Sequence, residues 1–365
     1  MKRTDSAITS RHATSSDLLS RRRALNWIAA AVGGAISTAA NATDILISDT
    51  HSHIALRMGP STCLGCGLTE SGVSLISWAL ASDGPFLQRM PNGSIQANSK
   101  PSVDQFREVF MRMLGGMQRR IRGENLRLVL NSEHVDLALQ GQLHIVLSTE
   151  GAHFLGGDVN YLDVVYAQGV RQIGLGHFVE GDLLDIRTEP PKIGGLSDFG
   201  RSVIARCNAL GIVVDLAHST DQAVSQALEV SKQPMLWSHS AISRRATDWR
   251  TNGNHIMSIS LANAKTLAQR GGVIGIWPSR FNFNNPRAYV EALGEAVSML
   301  GEDHVAFGTD MQGLAPQHTM LENYAGMREI VNLMLAINMP EATVRKVAGQ
   351  NYGRLLKTVL LGRTL

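Results

Sequence analysis

Short runs of apolar, largely β-branched residues alternate with longer stretches of helical period along most of this chain. The runs are DILISDT (44–50), LRLVLN (126–131), LHIVLST (143–149), VRQIGLG (170–176), GIVVDLA (211–217), PMLWS (234–238), GVIGIWP (272–278) and VAFGT (305–309). Each has the length of a strand and too little polar alternation for a half-solvated one, as expected of a parallel sheet buried on both faces. Between them lie helical patterns at 102–121, 197–210 and 260–270, each opened by a serine suited to an N-cap. Eight strands, each followed by a helix, predict an α/β protein of (β/α)8 TIM-barrel type. Two segments, 51–125 and 241–259, are long for strand-to-helix connections and are expected to form lids over the barrel mouth.

A barrel of this kind carries its chemistry at the C-terminal ends of its strands, which gives an independent check on the pattern. The residues at or just beyond the runs are His51 and His53, Glu150, His177, His218, His239 and Asp310. Six of the eight predicted strand ends thus bear a metal ligand or an acid/base group, and five of the twelve histidines fall at this one face. Taken singly, each has an ordinary reading as a helix cap, a turn residue or a solvent-facing polar group. Together they make an N/O donor set in a number suited to two zinc-like ions, with one carboxylate able to bridge them. His51 and His53 share a strand face because they lie two residues apart.

Composition narrows the picture. With 44% hydrophobic and 18% charged residues, the 365-residue chain has the makings of one large core and is not a disordered polymer. The N-terminus differs from the rest: SRRRALNWIAAAVGGAISTAANA has a basic start, a short apolar run and a small-x-small end. Arg21-Arg22 after Ser20 has the form of a twin-arginine export signal, read by a receptor. Cleavage is expected after Ala42, giving a leader at 1–42, a hydrolase barrel at 43–365 and a periplasmic or otherwise exported product. The competing reading, an uncleaved anchor, meets an apolar run shorter than the ~20 residues a spanning helix needs, so no stable membrane span is expected after cleavage. Residues 1–42 hold six of the 34 Lys/Arg and two of the 31 Asp/Glu, leaving 28 basic against 29 acidic residues. The net charge of +3 therefore belongs to the leader, and nothing points to nucleic acid. Cys63 and Cys66 are read as a disulfide or as two free thiols, since no second Cys pair exists to complete a zinc site; Cys207 is single.

The motifs DTHSH, STEGAH, IGLGHF, VDLAHS, WSHSA and FGTDMQG, in this order, resemble those of the membrane (renal) dipeptidase family within the metal-dependent amidohydrolase superfamily. The resemblance runs from about Asp44 to the GQNYGRLL near the end of the chain. It implies a binuclear zinc enzyme, two Zn2+ per chain, that hydrolyses dipeptides with a free C-terminus through a metal-bridging hydroxide. Position by position, it implies that His51 and His53 hold one zinc, and that Glu150 bridges to a second held by His218 and His239. His177 would touch the substrate carbonyl, Arg250 would grip the free carboxylate, and Asp310 would serve the attacking water as base. The chain departs from the pattern at one position: the family usually has His-x-Asp where this sequence has His51-Ser52-His53. That removes one negative charge from the first metal and leaves other substrates in view, such as a lactone or a cyclic amide, or a barrel that binds metal without turnover. The early 51–125 segment is expected to set substrate preference, and a homodimer is left open.

Overall fold

The computed structural model describes residues 44–59, 62–90, 95–244 and 257–364. The expected leader at 1–42 and its cleavage site lie outside the described residues, as does Arg250.

Eight parallel strands form the core: β1 (Ile47–Ser52), β2 (Val73–Ala81), β3 (His144–Glu150), β4 (Val170–Gly174), β5 (Val213–Asp215), β6 (Leu236–Trp237), β7 (Val273–Ile276) and β8 (Val305–Phe307). They hydrogen-bond in chain order from β1 to β8. The circle is closed by a parallel bridge between Ser52 and Met311, where the His53 amide donates to the Met311 carbonyl (2.9 Å) and the Asp310 amide to the His51 carbonyl (3.0 Å). The (β/α)8 expectation therefore holds.

Eight was the right number, reached with one wrong member. The 126–131 run contributes only a two-residue strand, Arg127–Leu128, which pairs with β3 off the barrel path. The true second strand is β2, within the segment read as a lid. It is the longest of the eight and buried along almost its whole length. Apolar runs outnumber barrel places, and periodicity does not say which run finds an edge between two neighbours. Segment 51–125 is thus a regular piece of the barrel wall, holding α1 (Leu64–Glu70), β2 and α2 (Val103–Gly123), with a small hairpin of Leu87–Arg89 and Ile95–Ala97. Of the second expected lid, Ile242–Ser243 and Ile259–Ser260 pair in parallel, and the residues between them are largely outside the described set.

The predicted helix starts are borne out in detail. Ser102 caps α2 through the Gln105 amide and completes a capping box with the Gln105 side chain; Ser197 and Ser260 cap Asp198–Leu210 and Leu261–Gln269 through the Gly200 and Asn263 amides. The helices form the outer layer over an apolar cluster reached by alternate strand residues such as Ile47, Ile76 and Ile145. A second, smaller cluster joins Leu75, Val146, Val213, Leu236 and Val273 to Tyr352, Leu355 and Val359 of the last helix, Asn351–Leu361. These strand residues lie toward the strand starts, so the last helix closes the N-terminal end of the barrel and leaves the C-terminal end for chemistry. Cys63 and Cys66 form a disulfide. Cys207 is buried in Asp198–Leu210, and burial pushes its thiol up to about 12, which makes it inert as a nucleophile at neutral pH. Among the described residues no helix is long and apolar enough to cross a membrane.

Candidate metal centre

Seven candidate residues meet at the C-terminal mouth. His51 lies in β1 with His53 just beyond it, and Glu150 ends β3. His177, His218, His239 and Asp310 follow β4, β5, β6 and β8 within three residues. All are shielded from solvent. His218 (φ 70°) and Asp310 (φ 49°) adopt left-handed backbone that costs a non-glycine residue on the order of 1–3 kcal/mol, a strain that clusters at functional positions.

Glu150 is the centre of the arrangement. Its Oε1 lies 2.8 Å from His218 Nε2 and 3.5 Å from both His239 Nε2 and His51 Nε2. Its Oε2 lies 3.1 Å from His53 Nε2 and 3.2 Å from His177 Nε2. Two imidazole pairs converge on it: His51 and His53 with Nε2 atoms 3.2 Å apart, and His218 and His239 with theirs 3.1 Å apart. Two nitrogens bound to one tetrahedral zinc at 2.0–2.1 Å stand about 3.3–3.4 Å apart, so both pairs have the span of a shared ion. Among the described residues three overlapping groups have metal-binding spacing: His51, Glu150 and His239; His51, His53 and Asp310; Glu150, His177 and His218. The donor set fits a pair of borderline cations, with imidazoles for each and a carboxylate between.

The protonation states agree with that fit. Burial drives His51 down to about 3, with neighbouring imidazoles adding to the fall and Glu150 opposing it. Burial likewise lowers His218, and takes His239 well below its usual value. Burial would raise Glu150, but the imidazoles around it hold its carboxyl well below the carboxylate range. Neutral imidazoles facing an ionised carboxylate are the ligand forms a metal requires. Three groups depart from this. Burial lowers His177, yet Asp83 and Glu150 outweigh it and raise the ring to about 9, so that both its nitrogens carry protons at neutral pH. Burial lowers His53, yet Glu150 and Asp310 outweigh it and hold the ring above its ordinary range. Asp310 is raised to about 7 by burial, with His53 acting against the rise.

Buried carboxylates fix the ligands from beneath. Asp49 Oδ1 accepts the amides of His51 (3.2 Å) and Thr309 (2.9 Å), and its Oδ2 accepts the Tyr324 hydroxyl (2.6 Å), tying β1 to the segment that carries Asp310. Asp215 Oδ1 accepts the amides of Ala217 (3.1 Å) and Ser238 (3.0 Å), each adjacent to a candidate ligand histidine. Ser238 Oγ also lies 2.8 Å from His239 Nδ1. A third carboxylate, Asp83, stands 2.6 Å from His177 Nδ1.

None of these three was singled out from the sequence. Asp49 and Asp215 were inside quoted runs, and an acid in an apolar strand is the signal that marks them. Asp83 closes the unrecognised β2, and the Asp-Gly step after VSLISWALA is the sign that was there to read. Arg250 is not placed with the others, being outside the described residues.

Comparison with known proteins agrees with this geometry. Residues 94–363 match the model of the family described as membrane dipeptidase (peptidase family M19). The dipeptidase tcpJ of Claviceps purpurea is 30% identical over 227 residues, covering 60% of this chain and 52% of that protein. The chain spans about half the length of the curated relatives it matches. Among solved structures, the probable dipeptidase PvdM of Pseudomonas aeruginosa superposes with a TM-score of 0.71 at 19% identity, covering 94% of this chain and 99% of that one. A metallopeptidase from Rhodobacter sphaeroides, bound to a phosphinate mimic of L-Ala-D-Ala, gives a TM-score of 0.71 at 18% identity, covering 86% and 99%. The matched region takes in most of the barrel and five of the seven residues at its mouth, all but His51 and His53 on the first strand, and it covers well over half of the chain, which belongs to the membrane dipeptidase family, peptidase family M19.

Proposed function

We propose that the chain is a zinc dipeptidase that cleaves short peptides with a free C-terminus. The observation that carries this reading is the convergence of two imidazole pairs on Glu150, with His218, His239 and His51 nearest Oε1 and His53 nearest Oε2. His51 and His53 would hold one ion, His218 and His239 the other, with Glu150 between. Such a pair of ions supplies Lewis acidity and hydroxide near neutral pH, because bound water is acidified to a pKa of about 7.

The protein's own groups complete the chemistry. Asp310 Oδ1, 3.4 Å from His53 Nε2, is placed to take the proton of the attacking water and return it to the leaving amine. A carboxyl raised to about 7 by burial exchanges protons readily at neutral pH. His177 presents Nε2 beside Glu150, where a donor can stabilise the oxyanion that forms on the scissile carbonyl. Arg250 would bind the free carboxylate through its planar fork. The dipeptidase named among the relatives, and the dipeptide mimic in the Rhodobacter structure, support a peptide of this size.

The test is metal analysis joined to a substrate panel. Purified protein is expected to hold close to two zincs per chain and to hydrolyse simple dipeptides; a metal-replete sample inert on a broad panel overturns the substrate claim. Arg250→Ala is expected to lower rates on dipeptides at least tenfold relative to analogues lacking the carboxylate. Unchanged relative rates would remove the C-terminal preference and favour a lactone or cyclic amide. The basic leader further supports export as a twin-arginine substrate.

A further inference from the structure

Asp83 reaches the site from β2, the strand hidden in the sequence. Its side chain is fully buried, and both oxygens are engaged by one short stretch of chain. Oδ1 lies 2.6 Å from His177 Nδ1. Oδ2 accepts the backbone amides of Phe178 (3.3 Å) and Val179 (3.1 Å). One carboxylate therefore fixes the backbone that follows β4 and the ring that projects from it. The amides fix the backbone from which the side chain starts, and the Nδ1 contact fixes how the ring is turned.

The opposite ring nitrogen, Nε2, is then aimed into the metal centre, 3.2 Å from Glu150 Oε2. We infer that Asp83 is a positioning residue for the reaction, accepting the Nδ1–H of a His177 ring that carries protons on both nitrogens, so that the Nε2–H faces the scissile carbonyl. Among the described residues the Asp83 carboxylate bonds to His177 and to the two amides that follow it, so its contact with the site runs through this stretch. A donor that must meet an oxyanion gains most from being fixed beforehand, because no reorganisation is then needed as charge develops. The inference rests on the dipeptidase reading for its kinetic consequence, though not for the contact itself.

The dyad is tested by Asp83→Ala and by Asp83→Asn, which keeps the volume should the alanine variant fold poorly. Both are expected to retain wild-type zinc content and to lose kcat roughly 10- to 100-fold with a smaller change in KM. In a His177→Ala background the same Asp83 changes are expected to cost less than threefold in kcat, since the group they position is gone. A purely structural Asp83 would lower thermal stability and give equal losses in both backgrounds, and that result overturns the inference, as does wild-type kcat in both variants. Proton NMR separates this from the functional reading: a low-field resonance absent from both Asp83→Ala and His177→Gln identifies the Nδ1 proton. If the wild-type protein were inert on dipeptides the Proposed function would fail, and the presence or absence of that resonance would still decide the dyad.

Discussion

His53 is the residue at which this protein differs from the pattern it resembles, and its surroundings show what the difference does. It sits between Glu150 (3.1 Å) and Asp310 (3.4 Å), so an aspartate here would place three carboxylates together. Histidine relieves that repulsion at the cost of one negative charge beside the first ion. His53→Asp is accordingly expected to hold that ion roughly tenfold more tightly in competition with a chelator, and to move the acid limb of the pH–rate profile upward. Weaker retention would contradict the charge argument. Histidines at strand ends were legible because an apolar run that stops at a ligand-type residue is rare, and several such stops coincide. Asp83 was not, since its role depends on which strand neighbours β4's loop in space.

At the scale of elements, the barrel interior is set by glycines where strands crowd. A Cβ on Gly275 of β7 would lie 1.9 Å from the Ser238 carbonyl oxygen and 2.5 Å from Thr50 Oγ1; one on Gly308 would lie 1.8 Å from the same carbonyl. That carbonyl immediately precedes His239, so any side chain there must push a candidate ligand. Gly275→Ala is expected to cost more than about 3 kcal/mol in urea unfolding and to reduce zinc content. Gly67→Ala, in α1 with open space around it, should stay within about 1 kcal/mol of wild type. Strand number and helix caps could be read from the sequence because they depend on local pattern. The identity of the second strand could not, because Arg127–Leu128 and Val73–Ala81 both pair with β3 and only tertiary closure chooses between them.

Over the whole molecule, buried acids couple stability to pH. Burial raises Asp215 to about 7 and Asp49 to about 6, above the ordinary aspartate value of about 3.8. A folded-state pKa above the unfolded one means the native form binds the proton more tightly. The stability from these groups is complete below pH about 4 and is lost as pH rises through about 6 to 7. Asp215→Asn keeps an acceptor for the two amides and removes the titration. Its unfolding free energy in the metal-free protein should gain on wild type between pH 5 and pH 8; a constant difference would show that Asp215 does not titrate there. We further propose export with removal of residues 1–42, which N-terminal sequencing of the secreted form checks: it should begin at Thr43.

The seam where β8 meets β1 has a single backbone bridge with two backbone hydrogen bonds, backed by Asp49 and Thr50, and the mouth residues straddle it, His51 and His53 on one side and Asp310 on the other. Whatever binds all three joins the first and last strands of the barrel. In chain statistics it cross-links the largest loop in the fold, as a long-range disulfide would, but one that a chelator can undo. Hydrogen exchange at the His53 and Asp310 amides would then report on the state of that clasp.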